Sequence, residues 1–442
     1  MEKNEIYTVE AHGYTEDGAG VVRINGVVIF VPGLLDGEEA EIGITKMKKN
    51  YGYGRVVKIL KPSLHRVKPV CSVYKQCGGC SLQHMDDVEQ RRFKEDKVKN
   101  CFRRNANMEI EPLPIIKVEP YWNYRNKVQI PVQLNKGKTE LGFYQNHTNR
   151  VVPYDYCHVQ TDLSNELTVF FKKELEKYNC TKEFRHILIK HAHVTGEVMV
   201  CMIVHDYPFH DCEKLLKDLT DAYPQIKSVS AIINHSDHNA ILEGKEVLLY
   251  GKPYIEEDLL GCRFRISARS FFQINPYATE KLYQTAIDYA DLTGKETLID
   301  LYCGTGTMGI IGARKAKKVY GIEIVPEAIK DAKINAEVNN ISNIQFINAD
   351  AGKGAQKIIR SKIKADTVIV DPPRKGCSKD TIDAILKISP ERLVYVSCDP
   401  ATLARDVKIL TDNNYTLQKV QPVDMFPNTV HVETVALLTR TK

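Results

Sequence analysis

Short apolar runs separated by glycines fill the first sixty positions, longer irregular segments follow, and from about residue 279 strand-like and helix-like periods alternate regularly. The early runs are Val21-Val22-Arg23, Val27–Val31, Ala40–Ile44 and Gly54–Ile59, with Gly18, Gly20, Gly26, Gly33 and Gly37 at tight corners. That spacing predicts a small β-barrel over residues 1–62. Residues 63–278 predict a central α+β domain: a charged helix over Asp87–Arg104 with one face in solvent, a helix near Leu163–Tyr178, and a hairpin of Ile187–Val194 and Val198–Val204 turned at Thr195-Gly196. In residues 279–442 the strand candidates are Thr297–Leu301, Lys318–Glu323, Ile344–Ile347, Asp366–Val370 and Arg392–Ser397. Helix-period segments lie between them, such as Pro326–Asn339 with Ile329, Ala332 and Ala336 on one face, and Tyr415–Val420 and Val430–Leu438 close the chain as an antiparallel pair. The pattern is that of a doubly wound α/β sheet, whose ligands sit at the carboxyl ends of its strands.

Composition narrows the setting. The 442 residues hold no apolar run of about 18 and begin with a polar stretch, so a cytoplasmic protein with no membrane partner is expected, and it is read as a monomer. A net charge of +5 permits a nucleic-acid partner without requiring one. Lys46, Lys48, Lys49 and Tyr51 would form a basic-aromatic loop, and Tyr121-Trp122-Asn123-Tyr124-Arg125-Asn126-Lys127 interleaves rings with cations; each suits RNA, and each is also an ordinary solvated turn or strand start. The twelve cysteines should be reduced in that compartment, so close spacing points to metal or catalysis. Cys71, Cys77 and Cys80, with distant Cys157, could close either a tetrahedral zinc site or an iron–sulfur cluster. Cys101, Cys180, Cys201, Cys212 and Cys262 have no such spacing and are assigned to packing.

Two motifs at strand ends carry the chemistry. Asp300-Leu301-Tyr302-Cys303-Gly304-Thr305-Gly306-Thr307-Met308-Gly309 follows a strand, and Glu323 ends the next; this fits a dinucleotide, with the acid on ribose hydroxyls. Asp371-Pro372-Pro373-Arg374 ends the fourth strand, where two prolines stiffen the backbone behind a carboxylate. One strand later, Cys398 stands between Arg392–Ser397 and a helix beginning at Asp399-Pro400. A helix N-terminus lowers a thiol's pKa, which gives Cys398 a physical reason to be nucleophilic; a lone cysteine at a strand end is as readily an inert core thiol.

Several of these stretches resemble known families. Residues 6–60 resemble a TRAM domain, an RNA-binding barrel. Asp300 followed by Tyr-Cys-Gly-Thr-Gly resembles motif I of S-adenosylmethionine methyltransferases, which adds a second cofactor to the dinucleotide reading and places Asp350 on the adenine amino group. Cys77-Gly78-Gly79-Cys80-Ser81-Leu82-Gln83-His84 resembles the cluster motif of RNA uracil-5 methyltransferases, implying a 4Fe-4S cluster on Cys71, Cys77, Cys80 and Cys157. DLYCGTG, DPPRKG, YVSCDPATLARD and DMFPNTVHVETVALL together resemble that family's 23S ribosomal RNA branch, along the chain from barrel to C-terminus. The resemblance implies Cys398 as nucleophile, Glu433 as base, and Gln273, Tyr302, Gly304, Gly306, Glu323, Asp350 and Asp371 as contacts to S-adenosylmethionine or target. Many relatives carry histidine where Asn428 stands. Uracil C5 is too weak a nucleophile to take a methyl unaided, so a thiolate must first add to C6 and a base must later remove the C5 proton, on a base flipped out of its stack. Three rivals differ in what they leave unused. A nicotinamide enzyme leaves Asp371-Pro372-Pro373 and Cys398 without a role, an RNA-binding protein with a relic fold has no need of Cys398 and Glu433, and a tRNA uracil methyltransferase shares all the chemistry.

Overall fold

The computed structural model describes residues 1–146, 148–236 and 240–441. Its first sheet has five strands, Ile6–Glu10, Gly20–Ile24, Val27–Val31, Glu39–Met47 and Tyr51–Lys61, with the first and second strands at its two edges. Alternate residues such as Val22, Ile29, Val31, Ile42 and Ile44 turn inward to fill it. The expected barrel is a half-barrel sheet whose edge strands do not pair as a ladder but are joined by the chain just after the first, from His12 N–H to the Val21 carbonyl (2.8 Å) and from Val21 N–H to the Gly13 carbonyl (3.0 Å). Lys46 lies within the fourth strand and Tyr51 opens the fifth, so the expected basic loop shrinks to the tight turn between them. Gly20 is required where this sheet folds over its neighbour: a Cβ there would stand 2.6 Å from the Leu34 carbonyl oxygen.

The second sheet orders its strands Lys245–Gly251, Ile226–Ile233, Val198–Val204, Phe184–His191, Lys127–Asn135, Lys138–Tyr144 and Val151–Pro153. Val198–Val204 is buried at every position, as befits a strand covered on both faces. Leu167 and Phe171 of the Asp162–Lys177 helix, with Leu215 and Leu219 of the Cys212–Ala222 helix, pack on it.

The third sheet holds the chemistry. Its order is Ile344–Asn348, Lys318–Glu323, Thr297–Leu301, Thr367–Val370, Arg392–Ser397, Glu433–Arg440, Tyr415–Val423. The first five run parallel, and Glu433–Arg440 inserts antiparallel to both neighbours. Leu301, Val370 and Tyr395 face one apolar layer while Leu298, Ile369 and Val396 face the other, so the period of two is spent on two cores. The Asp87–Ala106 helix belongs to the first of these layers. With one face in solvent as its charges imply, its other face buries Phe93, Val98, Phe102 and the whole of Lys94, and it packs along the Pro400–Thr411 helix. The chain beyond it hydrogen-bonds the sheet edge, from Leu113 N–H to the Val420 carbonyl (2.9 Å) and from Ile116 N–H to that of Pro422 (3.0 Å). Among the described residues no helix is long and apolar enough to cross a membrane.

Candidate active site and a four-cysteine cavity

The antiparallel register assembles the site. Ser397 pairs with Thr434, so the next residues outward, Cys398 and Glu433, leave the sheet side by side. Val370 pairs with Tyr395 on the other flank, which brings Asp371 to the same end. Asp399 caps the following helix by accepting from Ala401 N–H (2.9 Å) and Thr402 N–H (3.3 Å), with Pro400 at its first position. Cys398 thus sits where the sequence placed it, partly exposed at the strand-to-helix turn.

Its expected acidity does not follow. Burial, then Glu433 and Asp371, push the Cys398 thiol up to about 11, with Arg374 opposing. A helix end helps a thiolate only when it outweighs the neighbours, and here two acids stand on the other side. Those acids are raised in turn. Burial and Asp371 lift Glu433 to about 8, and burial lifts Asp371 to about 7. Asp300, under the glycine loop, is raised to about 8 by burial first, with Asp371 and Glu323 adding to it, and neither of its oxygens has a hydrogen-bond partner among the described residues. Clustered acids share few charges because each ionisation raises the cost of the next.

The cofactor candidates split into two groups. Tyr302 adopts φ 63°, a left-handed conformation costly for a tyrosine, and its hydroxyl lies 3.1 Å from Thr381 Oγ1. Gly304 N–H donates to Glu323 Oε2 (3.1 Å), and Val325 N–H donates to its Oε1 (2.9 Å), so the loop and the acid at the next strand end are one unit. Gly306, at φ 82°, has no room for a side chain: a Cβ would meet Phe346 at 3.0 Å and Ala332 at 3.1 Å. Gln273 is buried beside Tyr283, on a loop that Lys190 holds by donating to the Ser267 (2.7 Å) and Ser270 (2.9 Å) carbonyls. Asp350 stands apart from the expectation of a free adenine acceptor. Its Oδ1 caps the Ala351–Arg360 helix, accepting from Gly352 (3.1 Å) and Lys353 (3.4 Å) N–H groups.

Cys71, Cys77, Cys80 and Cys157 line a single cavity with Tyr74, Arg125, Phe143, Tyr154, Tyr156 and His158. All four are free thiols. Gly78 N–H donates to the Tyr144 carbonyl (3.1 Å), and a Cβ on Gly78 would stand 2.5 Å from Asn146 Oδ1, so the first glycine of this motif answers a close approach. Burial and the three other sulfurs raise the Cys80 thiol to about 12. Among the described residues no three His, Cys, Asp or Glu side chains close tightly enough to hold a single metal ion. The sulfur-only donor set and the shared cavity fit a polynuclear cluster, in which the thiolates bind separate irons rather than one ion. The aromatic-cationic stretch next to this cavity is a joint rather than an open stacking face: Tyr124 is buried with its hydroxyl on the Pro427 carbonyl (2.9 Å), and Arg125 turns into the cysteine cavity. Cys101, Cys180, Cys201, Cys212 and Cys262 are buried, in keeping with packing roles.

Three residues in this region carried no strong signal in the sequence. Tyr283 is buried against Asp371, Asp300 and Glu433. Lys94 donates to Asp424 Oδ1 (2.5 Å), and Gln90 Oε1 accepts from Asn428 N–H (2.8 Å). Arg374 was visible in its motif, but not as the cation that opposes the acids around Cys398.

Residues 89–441 match the family model described as tRNA (Uracil-5-)-methyltransferase, and residues 2–57 match the TRAM domain. An uncharacterized RNA methyltransferase of Clostridium tetani is 42% identical over 99% of this chain and 97% of its own length. One from Oceanobacillus iheyensis is 41% identical over 99% and 97%. Among solved structures, Pyrococcus abyssi tRNA (uracil-54, C5)-methyltransferase in complex with S-adenosyl-L-homocysteine superposes with a TM-score of 0.78 at 27% identity, covering 98% of this chain and 100% of that one.

Proposed function

The chain belongs to the tRNA (uracil-5-)-methyltransferase family, and from that membership we propose that it methylates C5 of a flipped-out uridine in 23S ribosomal RNA through a covalent adduct on Cys398. The observation that carries this reading is the register that sets Cys398 and Glu433 side by side at the end of the sheet. S-adenosylmethionine supplies the methyl group. Gln273, Tyr302, Gly304, Gly306, Glu323 and Asp371 are the residues assigned to hold it and the target; Asp350, committed to a cap through one oxygen, keeps only its other oxygen for the adenine.

The sulfur of Cys398 releases its proton to solvent, a loss that Arg374 favours and the neighbouring acids oppose, and then adds to C6. The electron pair displaced from the ring double bond makes C5 nucleophilic toward the methyl. Glu433, as carboxylate, then takes the C5 proton, the ring double bond re-forms, and the carbon–sulfur bond breaks. Its raised pKa makes it a stronger base once ionised, as removal of a carbon-bound proton demands. His431 serves less well: burial and the cations Arg374, Lys97 and Lys94 depress it to about 4.

We assign a 4Fe-4S cluster to Cys71, Cys77, Cys80 and Cys157. Four partly buried thiols share one cavity, burial raises Cys71, Cys77 and Cys80, and a cluster would hold all four as thiolates.

RNA carrying 5-fluorouridine tests the mechanism, because no C5 proton can leave and the adduct should survive denaturation on wild-type protein. Cys398→Ala should form none. Normal methylation by that variant would end the proposal. A tRNA substrate is the second reading, favoured by the Pyrococcus abyssi enzyme, whose similarity spans nearly the whole chain. Mass mapping of 5-methyluridine in ribosomal and transfer RNA from a strain lacking this protein decides between them.

A further inference from the structure

Glu433 opens its strand, and what fixes its approach is the segment Asp424–Val432. Much of that segment is anchored to parts of the chain some 300 residues earlier. Lys94 Nζ, fully buried, donates to Asp424 Oδ1 (2.5 Å) and to the Phe426 carbonyl (3.0 Å). Tyr124 donates to the Pro427 carbonyl (2.9 Å), and Lys97 donates to that of Val430 (3.0 Å). At the centre is Asn428, buried and in the left-handed region at φ 67°. Its carbonyl accepts from two consecutive N–H groups, Ser81 and Leu82, both at 3.0 Å. Ser81 follows Cys80 directly, and its Oγ accepts from Val430 N–H (3.2 Å).

Gln90 closes the arrangement. Its Oε1 accepts from Asn428 N–H (2.8 Å), while its Nε2 faces Asn428 Oδ1 (3.3 Å) and the carbonyls of Leu82 (3.1 Å) and Met85 (2.9 Å). Only an uncharged amide can accept on one side and donate on the other here. A carboxylate would face three oxygens, and an aliphatic chain would leave them and a buried N–H unpaired. We propose that Gln90 and Asn428 are positioning residues that lock the Asp424–Val432 segment, and with it Glu433, to the cysteine-bearing segment around Cys80. The consequence for the base rests on the reading of Glu433 given above; the lock itself does not.

Hydrogen exchange on the full-length, anaerobically purified protein tests the lock. In Gln90→Met the Asn428 amide should exchange at least about tenfold faster than in wild type, while amides of the central Thr297–Leu301 strand stay unchanged. Cys80→Ala should also speed exchange at Asn428, since Ser81 and Leu82 lose their hold. Should Gln90→Met fail to fold, Ser81→Ala removes one hydroxyl and should speed exchange at Val430 alone. Unchanged exchange at Asn428 in both Gln90→Met and Cys80→Ala overturns the proposal, as does unchanged exchange at Val430 in Ser81→Ala.

The effect on the base is read separately, as the fraction of RNA held in a methyl-labelled, denaturation-stable adduct. Glu433→Gln should accumulate it, and Gln90→Met should accumulate an intermediate fraction with unchanged cofactor affinity, which a loss of global stability would not produce. Asn428→Gly, which keeps the backbone bonds and tolerates φ 67°, should lie closer to wild type. If Glu433→Gln traps adduct and Gln90→Met does not, the positioning role is overturned. If Glu433→Gln itself traps none, the assignment of the base fails, and the lock stands or falls on exchange.

Discussion

Two sulfur sites in this protein share one electrostatic problem and resolve it differently. Cys398 and Cys80 are both raised by burial, to about 11 and about 12. Around Cys398 the further neighbours are carboxyls, with Arg374 opposing; around Cys80 they are three more thiols. Arg125 reaches that cavity and favours ionisation of Cys77, but one cation among four thiols offsets little, so the second site is suited to a metal group that binds all four sulfurs. The first site needs a thiolate only while substrate is bound and must release it again. A thiol kept protonated, next to one exposed cation and acids that ionise near neutrality, suits a reversible adduct; a set of four thiols on one cavity suits a permanent metal group.

Removing the sulfur is the sharpest way to separate the sites. Cys398→Ala should lower methyl transfer by at least about 10⁴-fold with cofactor affinity retained, since no other group can add to C6. Cys80→Ala should lose bound iron and sulfide on elemental analysis but reduce methyl transfer by only about 10- to 100-fold, because its hold on the reaction runs through backbone bonds to Asn428. Equal losses from the two variants would erase the distinction.

How much of this was legible depended on whether neighbours in space were also neighbours in sequence. The five parallel strands, the Asp399 cap and the position of Cys398 followed from local periodicity and turn chemistry. The lowered acidity expected of Cys398 did not hold, because Glu433 and Asp371 come from other strands and only the sheet register reveals that they face the sulfur. Asp350 is the opposite case: the local cap it makes with Gly352 and Lys353 is readable from neighbouring residues, while the adenine contact that the resemblance implies is left to its other oxygen. The Asp87–Ala106 helix held a faint signal. Gln90 and Lys94 stand eight and four residues before Val98, on its buried stripe, but their polarity suggested solvent. The apolar runs marked four of the five strands of the first sheet and missed Ile6–Glu10, and their spacing says nothing of how the sheet's edges meet.

Arg374 sharpens the comparison from the side of charge. It lowers Cys398 and Glu433 together, and it is exposed enough that salt and substrate screen it. Both groups must lose a proton to act, so activity should rise with pH through the region near 8, where Glu433 ionises, and continue rising toward 11, where Cys398 does. Arg374→Leu should raise both pKa values, move that ascending limb to higher pH, and reduce the rate at pH 7 by about 10- to 100-fold while mostly sparing the plateau. A uniform loss at every pH would mean that Arg374 binds substrate rather than tuning the pair.

The smallest effect concerns stability, and it too distinguishes the two kinds of site. Glu433 is raised from 4.5 to about 8 in the folded protein, so between those values the folded state holds a proton that the unfolded state has released. Folding is therefore favoured below pH 4.5, and that contribution is lost as pH rises toward 8. Asp371 and Asp300 act in the same direction, raised from 3.8 to about 7 and about 8, although Asp371 is partly exposed and should count for less. Glutamine keeps the shape of the protonated acid and cannot ionise. Glu433→Gln should match wild type in Tm near pH 4.5 and exceed it by about 3–6 °C at pH 8.5, as expected for 1–2 kcal/mol in a domain of this size. Calorimetry at both pH values checks it. A Tm difference independent of pH would mean that Glu433 ionises without strain in the free enzyme, and the raised basicity on which its role depends would have to come from bound substrate.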